Sequence, residues 1–362
     1  MIWVELQFSK SEIKKAGDYL IKDELTPHPD LPEIEKYLAA YDVLSNWRSS
    51  HAYPMQSMIA YIRAKAFKVN KNAVIVQRLK RLPSILAKLT REKGMSLERM
   101  EDIAGCRVVV NNIKDVYLVR DKIVTGRTKN ILRRERDYIK TPKKSGYRGI
   151  HLIYKYNGEK TAYSNHHVEL QIRSNIQHSW ATAVEVVGTF TGEALKASQG
   201  KEEWLKFFEL ASVAFADLET NNVKKNAITF ERDELQKYTH KLKVLDRLRA
   251  FAVTTEHLGK DITNKDDYFI LILDTVESKI SFLRFAHDKL DLATRRYAEL
   301  EQQHKGDLSK DIVLVSASSV HGLKTAYPNY FADTSDFAKN LESVLPDGED
   351  YIIREIKKPF KR

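Results

Sequence analysis

An α+β architecture, helices packed on a mixed sheet with a small second unit at the C-terminal end, is what this 362-residue sequence predicts. Three observations carry the prediction. Helical three-and-four apolar spacing alternates in mixed order with short β-branched runs. Apolar residues make up 43 % of the chain, ample for the cores of two or three domains. Past residue 200 the pattern changes to long charged helices and then to a separate strand–helix–strand stretch.

Taken in order, Ser9 to Leu25 spaces Ile13, Tyr19, Leu20 and Leu25 as a helix, and Thr26 to Pro32 breaks it. Leu31 to Trp47 follows with Ile34, Tyr37, Leu38, Tyr41, Val43 and Leu44 near a 3.6 period, and Pro54 to Ala66 gives a third helix. Val74 to Glu92 continues helically with Val76, Leu79, Ile85, Leu86 and Leu89. MEDIAGCRVVVNN predicts a helix end, a tight glycine turn and a β-branched strand. Val116 to Val124 is expected as helix, Gly149 to Tyr156 and Val168 to Arg173 as strands, and Asn175 to Val187 as helix. Glu202 to Leu218 is a further helix, and Leu235, Tyr238, Leu242, Leu245 and Leu248 stripe a long charged one, best explained as a packed seam. Gly259 to Asp267 is polar and serves as a linker. Beyond it stand strand Tyr268 to Leu273, helix Phe285 to Gln303, strand Asp311 to Ser316 and helix Thr334 to Val344. The expected domains are a helical extension over 1–70, a central unit with trailing helices over 71–262, and a closing unit over 263–362.

Composition excludes several classes. The longest apolar run, Tyr268 to Leu273, is far short of the ~20 residues of a membrane span. The N-terminus has no basic start followed by an apolar core, so a cytoplasmic protein is expected. One cysteine, Cys106, rules out an internal disulfide, a cysteine-rich zinc site and a CxxC pair. The net charge of +11 favours phosphate-bearing partners. That charge is concentrated: Lys71 to Lys93 holds seven basic residues against Glu92, and Arg120 to Arg148 holds eleven against Asp121, Glu135 and Asp137. A bare charge run is more often a solvated surface face.

Three segments supply the side chains of a phosphoryl-transfer site. In the first, Arg78 and Lys80 precede Ser84, Lys88 and Arg91, whose i, i+4, i+7 spacing sets them on one helix face able to grip a triphosphate. A plain basic amphipathic helix has the same pattern. In the second, Asp102-Ile-Ala-Gly105-Cys-Arg107 brings a carboxylate able to reach a divalent ion to a turn where Gly105 admits a phosphate. A helix N-cap is the alternative role for Asp102. In the third, His167-Val-Glu169-Leu-Gln171-Ile-Arg173 alternates strictly, so Glu169, Gln171 and Arg173 share one strand face, with His178 and Trp180 on the next helix. Three such groups face solvent or gather in a site. Between these segments Arg136 to His151 combines Gly and Pro breaks, basic residues and an exposed-looking Tyr147, as in a flexible loop whose ring stacks on a base.

In sequence, RxKxxxSxxxKxxR, DIAGCR, RDYIxxPKKSGYRGIHL and VELQIRSxxxHxWA resemble the synthetase domain of the RelA/SpoT superfamily over about residues 70 to 190, and the small alarmone synthetases in particular. The resemblance implies a mixed five-stranded sheet related to polymerase-β-like nucleotidyltransferases, and transfer of the β,γ-pyrophosphate of ATP to a ribose hydroxyl with release of AMP. It implies that Arg78 and Lys80 meet the adenine end of ATP and that Ser84, Lys88, Arg91 and Arg107 hold its phosphates. Asp102 and Glu169 bind Mg²⁺ in this scheme, with Glu169 also accepting the acceptor hydroxyl proton. Tyr147 stacks on the acceptor base, with Arg136, Lys143, His151 and His178 around it.

No His-Asp hydrolase segment precedes this region, which disfavours the bifunctional stringent-response enzymes. The Tyr327-Pro-Asn-Tyr330 string resembles the antitoxin half of the CapRel group of fused toxin–antitoxin proteins, although two core tyrosines around a proline turn fit the same residues. That resemblance implies a β-α-β pseudo-zinc-finger unit covering the ATP site through Tyr327 and Tyr330, release by a phage capsid protein, and pyrophosphorylation of the 3′ CCA end of tRNA. GTP or GDP is the alternative acceptor, as in a metabolic alarmone synthetase. A non-enzymatic RNA- or nucleotide-binding module is a third possibility, disfavoured by the pair Asp102 and Glu169. A monomer is the expected state.

Overall fold

The computed structural model describes residues 3–22, 31–191, 195, 200–220, 230–253, 262–274, 279–286, 288–304, 310–319 and 334–345. Three helices, α1 (Lys10–Lys22), α2 (Leu31–Ser50) and α3 (Ala52–Ala66), lead into a five-stranded sheet of order β1-β2-β5-β4-β3. Its strands are β1 (Val74–Leu79), β2 (Ala104–Val110), β3 (Ile131–Asp137), β4 (Ile150–Lys155) and β5 (His167–Ser174). Only β2 and β5 run parallel; the other neighbours are antiparallel. The parallel pair requires a crossover, which passes through α5 (Ile113–Val124) and the β3–β4 pair.

Strand alternation gives the sheet two unlike faces. Cys106, Val108, Leu152, Leu170 and Ile172 point to one side and are buried against Met58, Ile59 and Ile62 of α3 and Val116, Val119 and Ile123 of α5. Burying each such aliphatic side chain contributes about 1.5–3 kcal/mol. The opposite face carries Arg78, Arg107, Glu169, Gln171, Arg173 and His151, as strand register requires: Arg78 pairs Gly105, which pairs Glu169, and Arg107 pairs Gln171, which pairs His151.

Helices border this polar face. The helix α4 (Leu82–Arg91) buries Ile85 and Leu89 among Ile13, Leu20, Leu44 and Trp47 of α1 and α2. A second helical core joins α6 (Asn175–Thr191), α7 (Glu202–Glu219), α8 (Phe230–Lys241) and α9 (Val244–Val253) to α11 (Ser335–Val344), whose Phe337, Leu341 and Val344 are buried there. The C-terminal sheet, of order β7-β6-β8, consists of β6 (Ile262–Asp274), β7 (Lys279–Phe285) and β8 (Lys310–Ser319), with α10 (Leu290–Gln303) packed on it through Leu300. β8 lies against β1 of the larger sheet. No helix among the described residues is long and apolar enough to cross a membrane.

Several expected boundaries move. Val74 to Glu92 is not one helix: Val74, Ile75 and Val76 begin a strand, and Pro83 sits in the first turn of α4, where its missing N–H costs nothing. Gly105 is not in a tight turn but inside β2, and no helix begins at Asp102, so the N-cap role falls away. The stretch before His151 contains a strand, β3, whose exposed Arg and Glu side chains hide it from an apolar-period search because it is the sheet edge. The long helix through 235–248 is broken at Lys243, with φ of +49°. Residues 262–267 of the expected linker open β6, pairing Ile262 with Ser319 and Asp267 with Ala317. The expected strand, helix and strand are present as β6, α10 and β8, with β7 inserted; Phe285 ends β7 instead of starting the helix. Tyr327 and Tyr330 lie outside the described residues.

Candidate active site

At the β1–β2 end of the polar face, Lys80 follows β1 and Lys88 rises from α4. Both ammonium groups donate to Oδ2 of Asp102 at 3.0 Å. Burial opposes ionisation of this carboxyl, but Lys80 and Lys88 outweigh it and hold its pKa below the usual range. Its other oxygen, Oδ1, is buried with no hydrogen-bond partner. Ser84 and Arg91 share the α4 face with Lys88, and Arg91 is paired with Glu92 at 3.3 Å.

Beside this trio, Glu169 sits in a closed ring of hydrogen bonds. Arg173 Nη2 donates to Gln171 Oε1 at 2.7 Å, and Gln171 Nε2 donates to Glu169 Oε2 at 2.7 Å. On the other side Arg173 Nε donates to the Tyr147 hydroxyl at 3.1 Å, which lies 2.5 Å from His151 Nε2, and His151 Nδ1 lies 2.8 Å from Glu169 Oε1. A carboxylate only accepts, so Nδ1 carries the proton and Nε2 takes the hydroxyl hydrogen of Tyr147. Burial pushes the His151 pKa down, so the ring is neutral at neutral pH, which is consistent with that tautomer. Burial works to raise the Glu169 pKa; the bonds from His151 and Gln171 and the charge of Lys80 overcome it and keep the carboxylate ionised.

Beside the two carboxylates the sheet floor is basic. Arg78 and Arg107 have no hydrogen-bond or ion-pair partner among the described residues, and Arg107 Nε is buried without one. Burial first, then the charges of Arg173 and Arg78, bring the Arg107 pKa down to about 9. Arg78 and Arg173 beside Arg107 make this a site short of anions. Gly105, lying between Arg78 and Glu169 in register, presents no side chain there.

The acceptor-side residues arrive on β3, β4 and the turn between them. Tyr147 is not exposed: its ring packs edge-on against Tyr138, His151 and Trp180, with Arg173 5.0 Å and Lys143 5.1 Å from its centroid. The turn is pinned, since Ser212 donates to Gly146 O at 2.5 Å and Arg148 pairs with Glu219 at 2.5 Å. Gly146 has φ of +88°, and a Cβ there would stand 2.8 Å from Ser212 Cβ. Arg136 pairs His151 across β3–β4 and reaches the Tyr138 hydroxyl at 3.3 Å. His178 is buried on α6, two residues before Trp180. An apolar recess opens between Tyr147, Trp180, Val184, Leu195 and Phe208.

Among the residues not singled out as site members, Gln171 and Arg173 had a legible signal, the period-two alternation with Glu169.

Two half-buried carboxylates beside a cluster of cations define the class of site, one chemically suited to a polyphosphate and a divalent cation. Residues 77–187 match the family model described as "Region found in RelA / SpoT proteins", so the chain carries that region. GTP pyrophosphokinase YjbM of Bacillus subtilis is 35 % identical over 112 residues, 30 % of this chain and 52 % of YjbM. The guanosine-3′,5′-bis(diphosphate) 3′-pyrophosphohydrolase of Aquifex aeolicus is 29 % identical over 172 residues, 46 % of this chain and 23 % of that protein. This chain therefore spans about half the length of YjbM and less of the larger relative. The crystal structure of the small alarmone synthetase 1 from Bacillus subtilis bound to pppGpp aligns with a TM-score of 0.42 and 23 % identity, covering 51 % of this chain and 98 % of that one.

Proposed function

We propose that this protein is a pyrophosphokinase that moves the β,γ-diphosphate of ATP to a ribose hydroxyl. The observation that carries the proposal is the anion-deficient cluster Arg78, Arg107 and Arg173 placed beside Asp102 and Glu169. Arg78, Arg107, Lys88, Ser84 and Arg91 bind the donor, with Lys80 steadying Asp102. The acceptor oxygen attacks the β-phosphorus, the bond from that phosphorus to the oxygen bridging it to the α-phosphate breaks, and AMP leaves with the bond electrons. The hydroxyl proton passes to Glu169. The bonds that keep Glu169 ionised also make it a weak base, so it orients the hydroxyl and takes the proton late, as the forming P–O bond acidifies it.

The residues fit Mg²⁺: Asp102 Oδ1 is a buried oxygen without a partner, and Glu169 supplies a second carboxylate. When bound, the ion would neutralise charge on the phosphate oxygens. Asp102 and Glu169 are the proposed protein ligands.

The proposed acceptor is the 3′ CCA end of tRNA, in a translation-blocking, phage-defence toxin held off by its C-terminal unit and released by a phage capsid protein. Support comes from the exposed edge strand β3 and its following turn, where Arg133 and Lys144 have no partner among the described residues, and from the C-terminal sheet lying against β1. Tyr327 and Tyr330 are the proposed covering residues. A second proposal, synthesis of guanosine polyphosphates from GTP or GDP, is favoured by the names of the relatives. Incubating labelled ATP with GDP or with tRNA, using the native chain and a Tyr327→Ala/Tyr330→Ala variant, separates them. Label in tRNA supports the first acceptor and label in a guanosine product the second. No transfer to either, by either protein, refutes the pyrophosphokinase.

A further inference from the structure

We propose that Arg48 is a positioning residue for the donor site and that the C-terminal unit sets its position through Tyr297. The proposal rests on the donor-site role given above to Lys80 and Asp102.

Arg48 ends α2 as a buried guanidinium. Its Nε donates to the backbone carbonyl of Lys80 at 2.7 Å, and its Nη2 donates to the Tyr297 hydroxyl at 2.7 Å. The Tyr297 ring lies 5.9 Å from the guanidinium carbon. On its other side the Lys80 peptide is held too, its N–H donating to Ile103 O at 2.7 Å. Lys80 is thus gripped by its backbone from two directions while its side chain holds Asp102. Ile103 adjoins Asp102 in the chain, so one end of the grip moves with the carboxylate. The other end, through Arg48, belongs to a residue of α10 in the C-terminal unit.

A short path therefore joins that unit to the half-buried carboxylate: Tyr297 hydroxyl, Arg48, Lys80 peptide, Lys80 ammonium, Asp102. Charge-assisted bonds at both ends of a planar guanidinium are directional, so a shift of Tyr297 rotates Arg48 and withdraws its hold on Lys80. The same contact serving only to glue two units together would affect stability and leave the donor site alone. The two cases differ in what they do to nucleotide affinity.

The test measures binding of a non-hydrolysable ATP analogue by calorimetry, with melting temperature followed in parallel. The proteins are the full chain, Tyr297→Phe, Arg48→Lys and the double variant, each also in the Tyr327→Ala/Tyr330→Ala background so that a cover over the site cannot hide binding. Tyr297→Phe removes only a hydroxyl and keeps the ring, so it spares the fold where Arg48→Lys does not. The expected result is fivefold to tenfold weaker binding for Tyr297→Phe, with the double variant no weaker than Arg48→Lys alone, the non-additivity of groups acting in series. Unchanged affinity in Tyr297→Phe, or independent additive losses, overturns the proposal while leaving the pyrophosphokinase intact. Failure of the full chain to bind the analogue in either background removes the donor site itself, and this proposal with it.

Discussion

Replacing Arg107 by Met should make the protein more stable and worse at binding its donor. In the free protein the Arg107 side chain is half-buried, its buried Nε has no partner, and Arg78 and Arg173 repel it. A fall in pKa from 12.5 to about 9 corresponds to a penalty of about 5 kcal/mol on the charged form. Relaxation of the neighbours and water entering the site reduce what is recovered, and the methionine keeps the apolar stem packed. A net gain of about 1–3 kcal/mol is expected, raising the melting temperature by at least about 2 °C. Loss of a charge-assisted contact to phosphate, about 1.5–3 kcal/mol, should weaken an ATP analogue by roughly tenfold to a hundredfold. Scanning fluorimetry with and without the analogue reads both effects, because a ligand that binds only the folded state raises the melting temperature in proportion to its affinity. A variant that melts lower than the native chain and keeps the full analogue-induced rise would refute the anion-deficient cluster as the donor site.

Asp102→Asn should lower transfer by more than about a hundredfold, since it removes the charge that pairs Lys80 and Lys88 and one proposed metal ligand; single-turnover rates within about tenfold of native would remove that role. Glu169→Gln should fold normally and lose transfer while still binding the ATP analogue, measured by calorimetry beside the labelled-transfer assay. Tyr147→Phe breaks the ring between Arg173 and His151 and should slow turnover about tenfold with little change in stability, whereas Tyr147→Ala should also raise the acceptor KM. Acid should destabilise the fold through His166, which burial brings down to about 4 from an ordinary 6.5. Below pH 6.5 the unfolded chain takes up a proton that the folded one refuses, so stability falls until about pH 4, by about 3 kcal/mol in all. Urea midpoints at pH 7, 5.5 and 4.5 should show this slope, and His166→Gln should reduce it, the buried His51, whose pKa burial also lowers, keeping the remainder.

The parts of the site that were legible in the sequence are those written in a strand. Glu169, Gln171 and Arg173 alternate with Val168, Leu170 and Ile172, and period two alone sets the three polar groups on one face, where the structure links them in the order of the chain. The helix face of Ser84, Lys88 and Arg91 was legible for the same reason. Arg78 and Lys80 were misplaced onto that helix because VIVQRL fits either period over so short a run, and only Pro83 marks where the helix starts. Tyr147 was mistaken for an exposed ring because the Gly and Pro around it signal a turn, and a turn alone does not reveal that Ser212 and Glu219, on a distant helix, hold it shut.

Arg48 marks the limit of sequence patterns in a more general way. Its side chain donates to a backbone carbonyl and to a tyrosine hydroxyl 249 residues away. A carbonyl has no residue type, so nothing at position 80 signals that an arginine is required at 48. The hydroxyl belongs to a ring that the spacing of α10 already explains as packing. Periodicity reports which face of an element is buried, and here Arg48 is buried and Tyr297 partly buried. What it cannot report is which two buried polar groups meet, since that depends on how separate units settle against β1. The proposed coupling between the C-terminal unit and the carboxylate at Asp102 is therefore a property of the assembled fold, reaching the motif residues Lys80 and Asp102 through Arg48 and Tyr297, which no motif contains.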